Sequence, residues 1–466
     1  MSDASISSPA QGPAANDRTT RLPFGRLLAF SALAMPIAAS QVPLAVFLPA
    51  LLAQRYAIAL PVLGLVFLVE KIWGAVSDPL IGVLADRGLG RFGRRRGWIA
   101  GGSLLSMLSI VLLFFPVLPM TPVFLAIALF AFYLSLSMLQ IPYFAWSAEV
   151  SGDYDERTRT ATFQTVTSAL GLLLILVLPT IVDQKAPHDS GLKLAVLGGL
   201  LLVLTAVTTP PTLVAFPEPP VRPRKRPLPL GGALKVLCTN PLLLRVLASD
   251  FAVGVAQGVR ATLFLFFITS YMGLVKWSSA LFLAQFVFGL AAGPLWLKVG
   301  ERVGKHRAAV AGELLQVGIN LGLLLVRPGQ LPLLLVLTIA QGLAQGSGNL
   351  MLRAMVGDIA DQDRLKSGED RMALFFSVFS ISSKAALAVA VGVVLPLVAW
   401  MGFDPKAAVN TPVALRGVLL VFALGPALGH LVSALLVARF PLDARAHAAI
   451  RAELAERDTL AQNAVG

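Results

Sequence analysis

Cysteine, histidine and charged residues are all scarce in this sequence. The single cysteine, Cys238, excludes an internal disulfide and a cysteine-rich metal site. There are only four histidines, and metal-binding HxxE patterns, the nucleophile turn of hydrolases and phosphate-binding glycine loops are missing. We therefore expect neither an enzyme nor a bound cofactor or metal. A nucleotide-binding domain is missing too, so ATP-driven activity would need another subunit.

The low charge content has a direct structural meaning. Charged residues make up 14% of the 466 residues and hydrophobic residues 56%, with a mean hydropathy of +0.77. Soluble domains contain about 25% charged residues. The composition therefore indicates a polytopic membrane protein. The formal charge of +13 would suggest nucleic-acid binding only if the positions of the basic residues had no other explanation.

Runs of apolar residues set the number of membrane crossings. A helix needs about twenty mostly apolar residues to cross roughly 30 Å of hydrocarbon. Twelve segments qualify, which predicts an all-α membrane protein with twelve transmembrane helices in two pseudo-symmetric six-helix bundles. The predicted spans are 24–53, 58–86, 97–117, 121–150, 160–182, 190–215, 242–271, 277–299, 305–326, 331–358, 371–400 and 411–438.

The positions of lysine and arginine predict the orientation. Cytoplasmic loops of membrane proteins are enriched in both residues. If the N-terminus is inside, most of the 38 basic residues fall in inward-facing segments and few in outward loops. We therefore expect both termini in the cytoplasm and the protein in the inner (plasma) membrane, surrounded by lipid. This topology explains the positive charge, so no nucleic-acid partner is expected.

Polar segments outside the spans divide the chain. Residues 1–23 lack a basic region followed by an apolar core, so we expect a cytoplasmic tail and no signal peptide. FPEPPVRPRKRPLPLGGALKVLCTNP (216–241) is proline-rich and basic, and we interpret it as a cytoplasmic linker; the alternative is a lipid-headgroup or partner site. It separates bundles at 24–215 and 242–438, and a cytoplasmic tail follows at 439–466. We expect a monomer.

Similar features recur in the two halves. The second span ends in SDPLIGVLADRGLGRFGRRR and the eighth in AAGPLWLKVGERVGKHR. Each has a proline late in the span, then an acid, an arginine, a glycine and a basic run. An even number of spans separates the two stretches, which indicates duplication of a six-helix unit as parallel repeats.

Four stretches carry a resemblance to a known family. The stretch from Asp78 to Trp98, DPLIGVLADR…GRFGRRRGW, resembles the helix 2–3 signature of the major facilitator superfamily. With IPYFAWSAEVSGDYDERTR (141–159), GDIADQDRLKSGEDR (357–371) and SVFSISSKAALAV (377–389), the chain resembles the melibiose permease-like glycoside–pentoside–hexuronide:cation symporters. The resemblance implies a secondary transporter that couples a small solute to H⁺ or Na⁺ by rocking two bundles.

Ionisable residues inside the spans are the candidate cation-coupling site. Such groups cost about 2.5–3.5 kcal/mol on insertion scales, so they usually face a cavity or a partner. Asp78 in the second span and Lys384 in the eleventh each need a partner, and the architecture that the resemblance implies makes them partners of each other. The family also implies a coupling role for both. Glu70 is either a second cavity acid or half of a local pair with Lys71, and Asp78 with Pro79 is alternatively a structural kink.

Polar and aromatic side chains in the central spans are the candidate solute contacts. Sugars are held by stacking on apolar rings and by directed hydrogen bonds, although buried polar residues also bridge helices. Arg260 and Asp250 are alternatively held by their own neighbours, and Glu313 is interpreted as structural. The candidates are Gln41, Gln140, Tyr143, Phe144, Trp146, Gln257, Arg260, Gln341 and Asn349.

Charged residues in the short inward-facing loops are a candidate cytoplasmic gate. Acids and arginines occur together there in both halves, which fits ion pairs that hold the bundles together in one state and separate in the other. Ordinary positive-inside charges in water are the alternative. The residues are Asp86, Arg87, Arg94, Arg95, Glu149, Asp153, Arg157, Arg159, Asp358, Asp361, Arg364 and Arg371.

The chain departs from the family's galactoside carriers at positions that bear on ion and solute. The first span, FSALAMPIAASQV, has no acid; Gln140 stands where those carriers have an aspartate, and Gly74 stands one turn before Asp78. A Na⁺ site needs several oxygen ligands, whereas a proton needs one carboxylate, so H⁺ coupling is favoured. A sugar or glycoside-like solute is expected. A lysolipid-like solute, or proton-driven export of hydrophobic compounds, is the alternative.

Overall fold

A computed structural model describes residues 21–56, 58–87, 93–117, 119–151, 153–218, 236, 239–369, 371–407 and 409–463. Helices account for almost all of this part of the chain, and it contains no strand. Twelve helices are long and apolar enough to cross a membrane, which confirms the predicted fold class. They are α1 Phe24–Arg55, α2 Leu60–Arg87, α3 Arg96–Phe114, α4 Pro122–Ser147, α5 Tyr154–Lys185, α6 Ser190–Ala215, α7 Pro241–Tyr271, α8 Val275–Val303, α9 Lys305–Leu325, α10 Leu331–Ser367, α11 Met372–Trp400 and α12 Pro412–Val437.

Two charged stretches that were expected to be loops are helical, so those two expectations were wrong. α5 begins at Tyr154, six residues before the predicted span, because Asp153 accepts hydrogen bonds from the backbone N–H groups of Asp155 (2.7 Å) and Glu156 (3.1 Å). α10 continues nine residues beyond its predicted end to Ser367. Gly368 then ends it in the left-handed region at φ 74°. Hydropathy locates the hydrocarbon-spanning part of a helix, whereas capping decides where it ends.

The predicted C-terminal tail contains a further helix, α13 (Ala444–Asn463). Asp443 caps it by accepting a hydrogen bond from the backbone N–H of Ala446 at 2.8 Å, and this bond lowers the pKa of the Asp443 carboxyl group. α13 docks on the charged end of α10, where His447 Nε2 lies 3.0 Å from Asp361 Oδ2 and 3.3 Å from Asp358 Oδ1. The tail is therefore a structured element.

The two six-helix halves, α1–α6 and α7–α12, meet through paired helices. α2 packs against α11, and α5 packs against α8. Gly64 of α2 permits a close approach, because a Cβ there would lie 2.9 Å from Cδ of Pro396 and 3.3 Å from the carbonyl oxygen of Val391 on α11. The consequence is a tight seam between the halves near the start of α2.

The hydrophobic core is shared by the two halves at one end and divided at the other. We name the ends by charge: the basic end, where α2 and α10 finish and α3 and α11 begin, and the opposite end. At the opposite end a single apolar core runs through both halves, with Phe47 of α1 against Phe282 of α8 at 6.4 Å between ring centroids. At the basic end each half has its own core, one around Phe30 and Trp146 and the other around Trp296. The described residues are therefore closed at the opposite end and parted at the basic end.

Candidate functional site

An ion pair links the two halves midway along α2 and α11. Lys384 Nζ donates to Oδ2 of Asp78, and the Ser137 hydroxyl of α4 donates to Oδ1. The Asp78 side chain is 17% exposed and that of Lys384 is 36% exposed, so the protein does not fully bury either side chain. The predicted pairing is present. Ser137 was missed in the sequence, where a serine inside an apolar helix carries no charge signal.

A second acid and a second lysine lie about two turns before Asp78 on α2. Glu70 is 3% exposed, and its Oε2 lies 3.4 Å from Nζ of Lys71. Lys71 also donates to the Tyr133 hydroxyl at 2.5 Å and lies 4.1 Å from the centre of that ring. Of the two readings left open for Glu70, the structure shows the local pair.

The two pairs form one cluster of four charges. Lys384 interacts electrostatically with both Lys71 and Glu70, besides its contact with Asp78. With two carboxylates and two ammonium groups, the cluster is formally neutral. Asp250 of α7 lies next to it, since the Ser383 hydroxyl donates to Asp250 Oδ2 at 2.8 Å. The neighbouring serine therefore partners Asp250, and Arg260 does not.

Five of the nine candidate solute residues have accessible side chains. Gln41, Phe144 and Asn349 are exposed, and Gln140 and Gln257 are half-buried. The structure brings two of them together, because Asn349 Nδ2 donates to Gln257 Oε1 at 3.3 Å. These amides and one phenyl ring supply hydrogen-bonding groups and a stacking surface.

The other four candidates are buried within one half. Tyr143 and Trp146 belong to the core of the first half, where the Tyr143 hydroxyl donates to the carbonyl oxygen of Phe30 at 3.2 Å. Arg260 is buried in the second half: it donates to Asn320 Oδ1 at 3.0 Å and stacks on Phe422. The Gln341 side chain is buried too. These four side chains do not lie with the five accessible candidates, because each packs inside its own half.

The candidate gate residues pair within each half in this conformation. In the first half Arg94 and Arg95 both contact Glu149, at 2.5 and 2.8 Å. In the second half Asp358 pairs with Lys305 at 2.7 Å, and Asp361 lies 3.6 Å from Arg451. Arg157 donates to the Ser151 carbonyl, Arg159 to Glu156, and Arg371 to Glu369. Asp153 caps α5, and Arg364 lies in the last turn of α10. The side chains of Asp86 and Arg87 lie outside the described residues.

A glutamate that the sequence analysis missed clasps the start of α3. Glu218 Oε2 accepts from the backbone N–H of Arg94 at 2.7 Å, and its Oε1 accepts from Arg95 (3.0 Å) and Arg96 (2.5 Å). The preceding Gly93 has φ +82°, and a Cβ there would lie 2.8 Å from the carboxylate. A carboxylate at a helix N-terminus is favoured because free N–H groups and the helix dipole both attract it. The contact fixes the end of α6 to α3.

A buried carboxylate closes the opposite end, and it too was missed. Asp183 of α5 is fully buried and contacts Lys193 of α6, which is 4% exposed. Its Oδ2 accepts from the hydroxyl of Ser278 at 2.8 Å and from the backbone N–H of Ser279 at 2.9 Å. The first half thus supplies an acid that caps the start of α8 in the second half. An acid directly after the end of a predicted apolar span was the available signal.

A second buried acid holds the second half together. Glu313 of α9 lies 2.6 Å from His430 Nδ1 of α12, and both side chains are 2% exposed. This contact agrees with the structural interpretation of Glu313. His430 had not been singled out.

Two halves of six membrane helices, with an ion pair between them, define a membrane transport protein of the major facilitator type. The chain matches the family model described as MFS/sugar transport protein over residues 29–444, and it belongs to that family. Within the superfamily it belongs with the glycoside–pentoside–hexuronide:cation symporters, as the sequence motifs indicated. The fold and the family are those of transporters.

Three relatives and one solved structure illustrate the similarity. An uncharacterised symporter of Synechocystis is 25% identical, covering 84% of this chain and 90% of the relative. A putative glycoside/cation symporter of Escherichia coli is 23% identical (84% and 86% covered), and a sphingosine-1-phosphate transporter of Xenopus tropicalis is 22% identical (81% and 80%). The crystal structure of the nucleoside transporter NupG matches with a TM-score of 0.67 at 11% identity, covering 90% of this chain and 98% of that protein. That structural likeness concerns the fold.

Proposed function

We propose that the protein is a cation-coupled symporter of a sugar or glycoside-like solute that works by alternating access. The observation that carries the proposal is the Asp78–Lys384 ion pair, the one contact between opposite charges that we describe between the halves. A transporter needs a group whose occupancy alters how its halves associate. Asp78 meets this requirement because one of its carboxylate oxygens contacts the other half.

Proton binding to Asp78 explains coupling in simple electrostatic terms. The ionised carboxylate attracts Lys384 strongly in a region of low dielectric constant. A proton on Asp78 removes that attraction and frees α11 to move relative to α2. We favour H⁺ over Na⁺ because Lys384 and Ser137 already occupy both carboxylate oxygens, whereas a metal ion needs additional oxygen ligands.

We propose that the protein acts in the plasma membrane and that its basic end faces the cytoplasm. Most lysine and arginine lies at that end, as the positive-inside rule requires. The conformation described here is then open to the cytoplasm and closed to the outside. Opening outward must break the contacts of Asp183 with Ser278 and Ser279. Charged residues at the basic end, among them Arg94, would exchange partners and connect the halves in that state.

The accessible polar group is the proposed solute site. Gln257 and Asn349 come from α7 and α10, whereas Gln41 and Phe144 come from α1 and α4. Residues from both halves therefore surround a solute that binds between them. Amide groups suit the hydroxyl groups of a sugar, and a phenyl ring suits its apolar face.

A lysolipid-like solute is the second candidate. It is favoured by the similarity to a sphingosine-1-phosphate transporter and by the absence of any acid in the first span. A long apolar chain needs no carboxylate partner, whereas the family's galactoside carriers are expected to use one. Proton-driven export of hydrophobic compounds is a variant of the same candidate. The protein is proposed to act as a monomer.

Transport by purified protein in liposomes tests these proposals. Counterflow of labelled sugars, glucosides, glucuronides and lysolipids identifies the solute, and uphill uptake driven by a pH or Na⁺ gradient identifies the ion. We expect Asp78→Asn to abolish uphill uptake and to retain counterflow, because solute binding does not need the titrating carboxyl group. Asp189→Asn, at an exposed residue of the opposite end, is the control and keeps both activities. Full uphill uptake by Asp78→Asn refutes the coupling role.

A further inference from the structure

Lys71 makes contacts that a bound metal cation would make. Its ammonium group lies 3.4 Å from the Glu70 carboxylate, donates to the Tyr133 hydroxyl at 2.5 Å, and sits 4.1 Å from the centre of the Tyr133 ring. A carboxylate, a hydroxyl oxygen and an aromatic face all attract a cation. The two Glu70 carboxylate oxygens have no hydrogen-bond partner among the described residues, and they are shielded from water. Lys71 is therefore the cation that this pocket contains.

Few further oxygen ligands are free for a metal ion along the described part of α2. Both carboxylate oxygens of Asp78 are in contact, with Lys384 and with Ser137. Gly74, one turn earlier, contributes no side chain, and no atom from elsewhere lies within 4 Å of where its Cβ would be. Hard cations are usually held by six or more oxygen ligands. Oxygen ligands are thus few, and lysines already neutralise the two acids.

We propose that Lys71 is a built-in counter-cation that takes the place of Na⁺ at Glu70 and thereby makes the transporter insensitive to Na⁺. This assigns ion selectivity, within the proposed symport function, to one residue beside the coupling pair. Lys71 is a selectivity determinant and need not touch the solute. The charge balance gives the reason: Na⁺ added to a neutral cluster of two acids and two lysines leaves a net charge of +1 in a medium of low dielectric constant.

Removal of the Lys71 charge should create a Na⁺ site. Lys71→Met leaves two carboxylates facing only Lys384, so the cluster becomes negative. The vacated space is bordered by the Glu70 carboxylate and the Tyr133 hydroxyl. A monovalent cation then restores neutrality. Lys71→Arg keeps the positive charge and should keep the site closed to Na⁺.

Cation binding to purified protein provides the test. The thermal unfolding temperature and the tryptophan fluorescence are measured while NaCl replaces choline chloride at constant ionic strength. Trp73, two residues from Lys71 and stacked on Phe130 at 4.2 Å, is a local reporter. We expect no saturable response from the wild type or Lys71→Arg, and a saturable rise in unfolding temperature with a fluorescence change for Lys71→Met. Glu70→Gln added to Lys71→Met should remove the new response.

Every outcome bears on the proposal. A saturable Na⁺ response of the wild type overturns it, and so does a folded Lys71→Met protein without any response. Lys71→Gln, which keeps a polar group of similar length, is measured in parallel and counts in place of Lys71→Met where the latter does not fold. The measurement needs no solute, so full uphill uptake by Asp78→Asn, which would refute the coupling role, leaves it unaffected. Conversely, if the role of Lys71 in ion selectivity is refuted, the symport proposal is unaffected.

Discussion

Removal of the charge on Asp183 should open the end of the transporter that we propose faces outward. Asp183→Asn keeps an oxygen that can accept from Ser278 and Ser279, and it replaces the oxygen facing Lys193 by an NH₂ group. The new NH₂ group and the Lys193 ammonium group are both hydrogen-bond donors, so no hydrogen bond forms between them. Lys193, with 4% of its side chain exposed, is left as a buried charge without a carboxylate partner.

The size of the effect follows from this unpaired charge. Removing one partner of a buried ion pair costs about 3–5 kcal/mol. We expect the cost to fall mainly on the closed conformation, because parting of the halves at that end should give Lys193 access to water. About 3 kcal/mol changes an equilibrium constant roughly 160-fold. A closed population of about 99% would therefore fall to about 40%.

Cysteine labelling measures the shift. Cys238, which lies outside the described residues, is first replaced by serine, and Phe282→Cys is introduced as the reporter. Phe282 packs on Phe47 across the two halves at the opposite end, so its position is shielded while that end is closed. A membrane-impermeant maleimide added from that side should react at least about tenfold faster in Asp183→Asn. Asp189→Asn removes an exposed acid from the same end and should leave the rate unchanged.

A double variant separates the unpaired charge from a general loosening. Lys193→Met combined with Asp183→Asn removes the buried charge, so the labelling rate should return towards that of the parent. Non-additivity of this kind is expected for residues in contact. An unchanged rate in folded Asp183→Asn, or an equal increase in Asp189→Asn, would refute the role of Asp183 in closure.

Three further predictions follow from other contacts. Glu218→Ala should lower the free energy of unfolding by about 2 kcal/mol, because three backbone N–H groups at the start of α3 lose a charged acceptor. Thermal unfolding should show a smaller loss for Glu149→Ala, whose carboxylate contacts the side chains of Arg94 and Arg95 and is 33% exposed. Glu313→Ala should lower the unfolding temperature, since His430 loses its buried partner at a cost of about 1–3 kcal/mol, while uptake per folded molecule stays unchanged. Gln257→Ala should raise the KM for the transported solute about fivefold, equivalent to roughly one hydrogen bond; Gln285→Ala, at a residue bonded to Gln345, should not.

Neighbouring residues along the chain were enough to predict the twelve helices. A span is a local property, since each backbone N–H bonds four residues back and the hydrocarbon requires about twenty apolar residues. Asp78 could be recognised for the same reason, because its cost in an apolar run is visible without knowledge of its partner. Lys384 was recognised likewise, and the implied architecture of the family suggested that the two meet.

Local sequence patterns predicted the helix ends and the accessibility of polar residues less well than they predicted the helices. The charged starts of α5 and the end of α10 were taken for loops, because hydropathy does not register an Asp153 cap or a Gly368 turn. Tyr143 and Arg260 look like solute contacts in a span read alone. Their positions inside the two halves depend on Phe30 and Asn320, which lie on other helices.

Composition and periodicity thus determined the membrane class, the number of helices and the charges that need an explanation, because hydrocarbon acts on each segment separately. Only the packing of the helices decided that Tyr133 of α4 contacts Lys71, and that Asp183 caps α8 from the other half. Contacts such as these join residues up to several helices apart. They exist because desolvated charges must find partners wherever the fold brings them together.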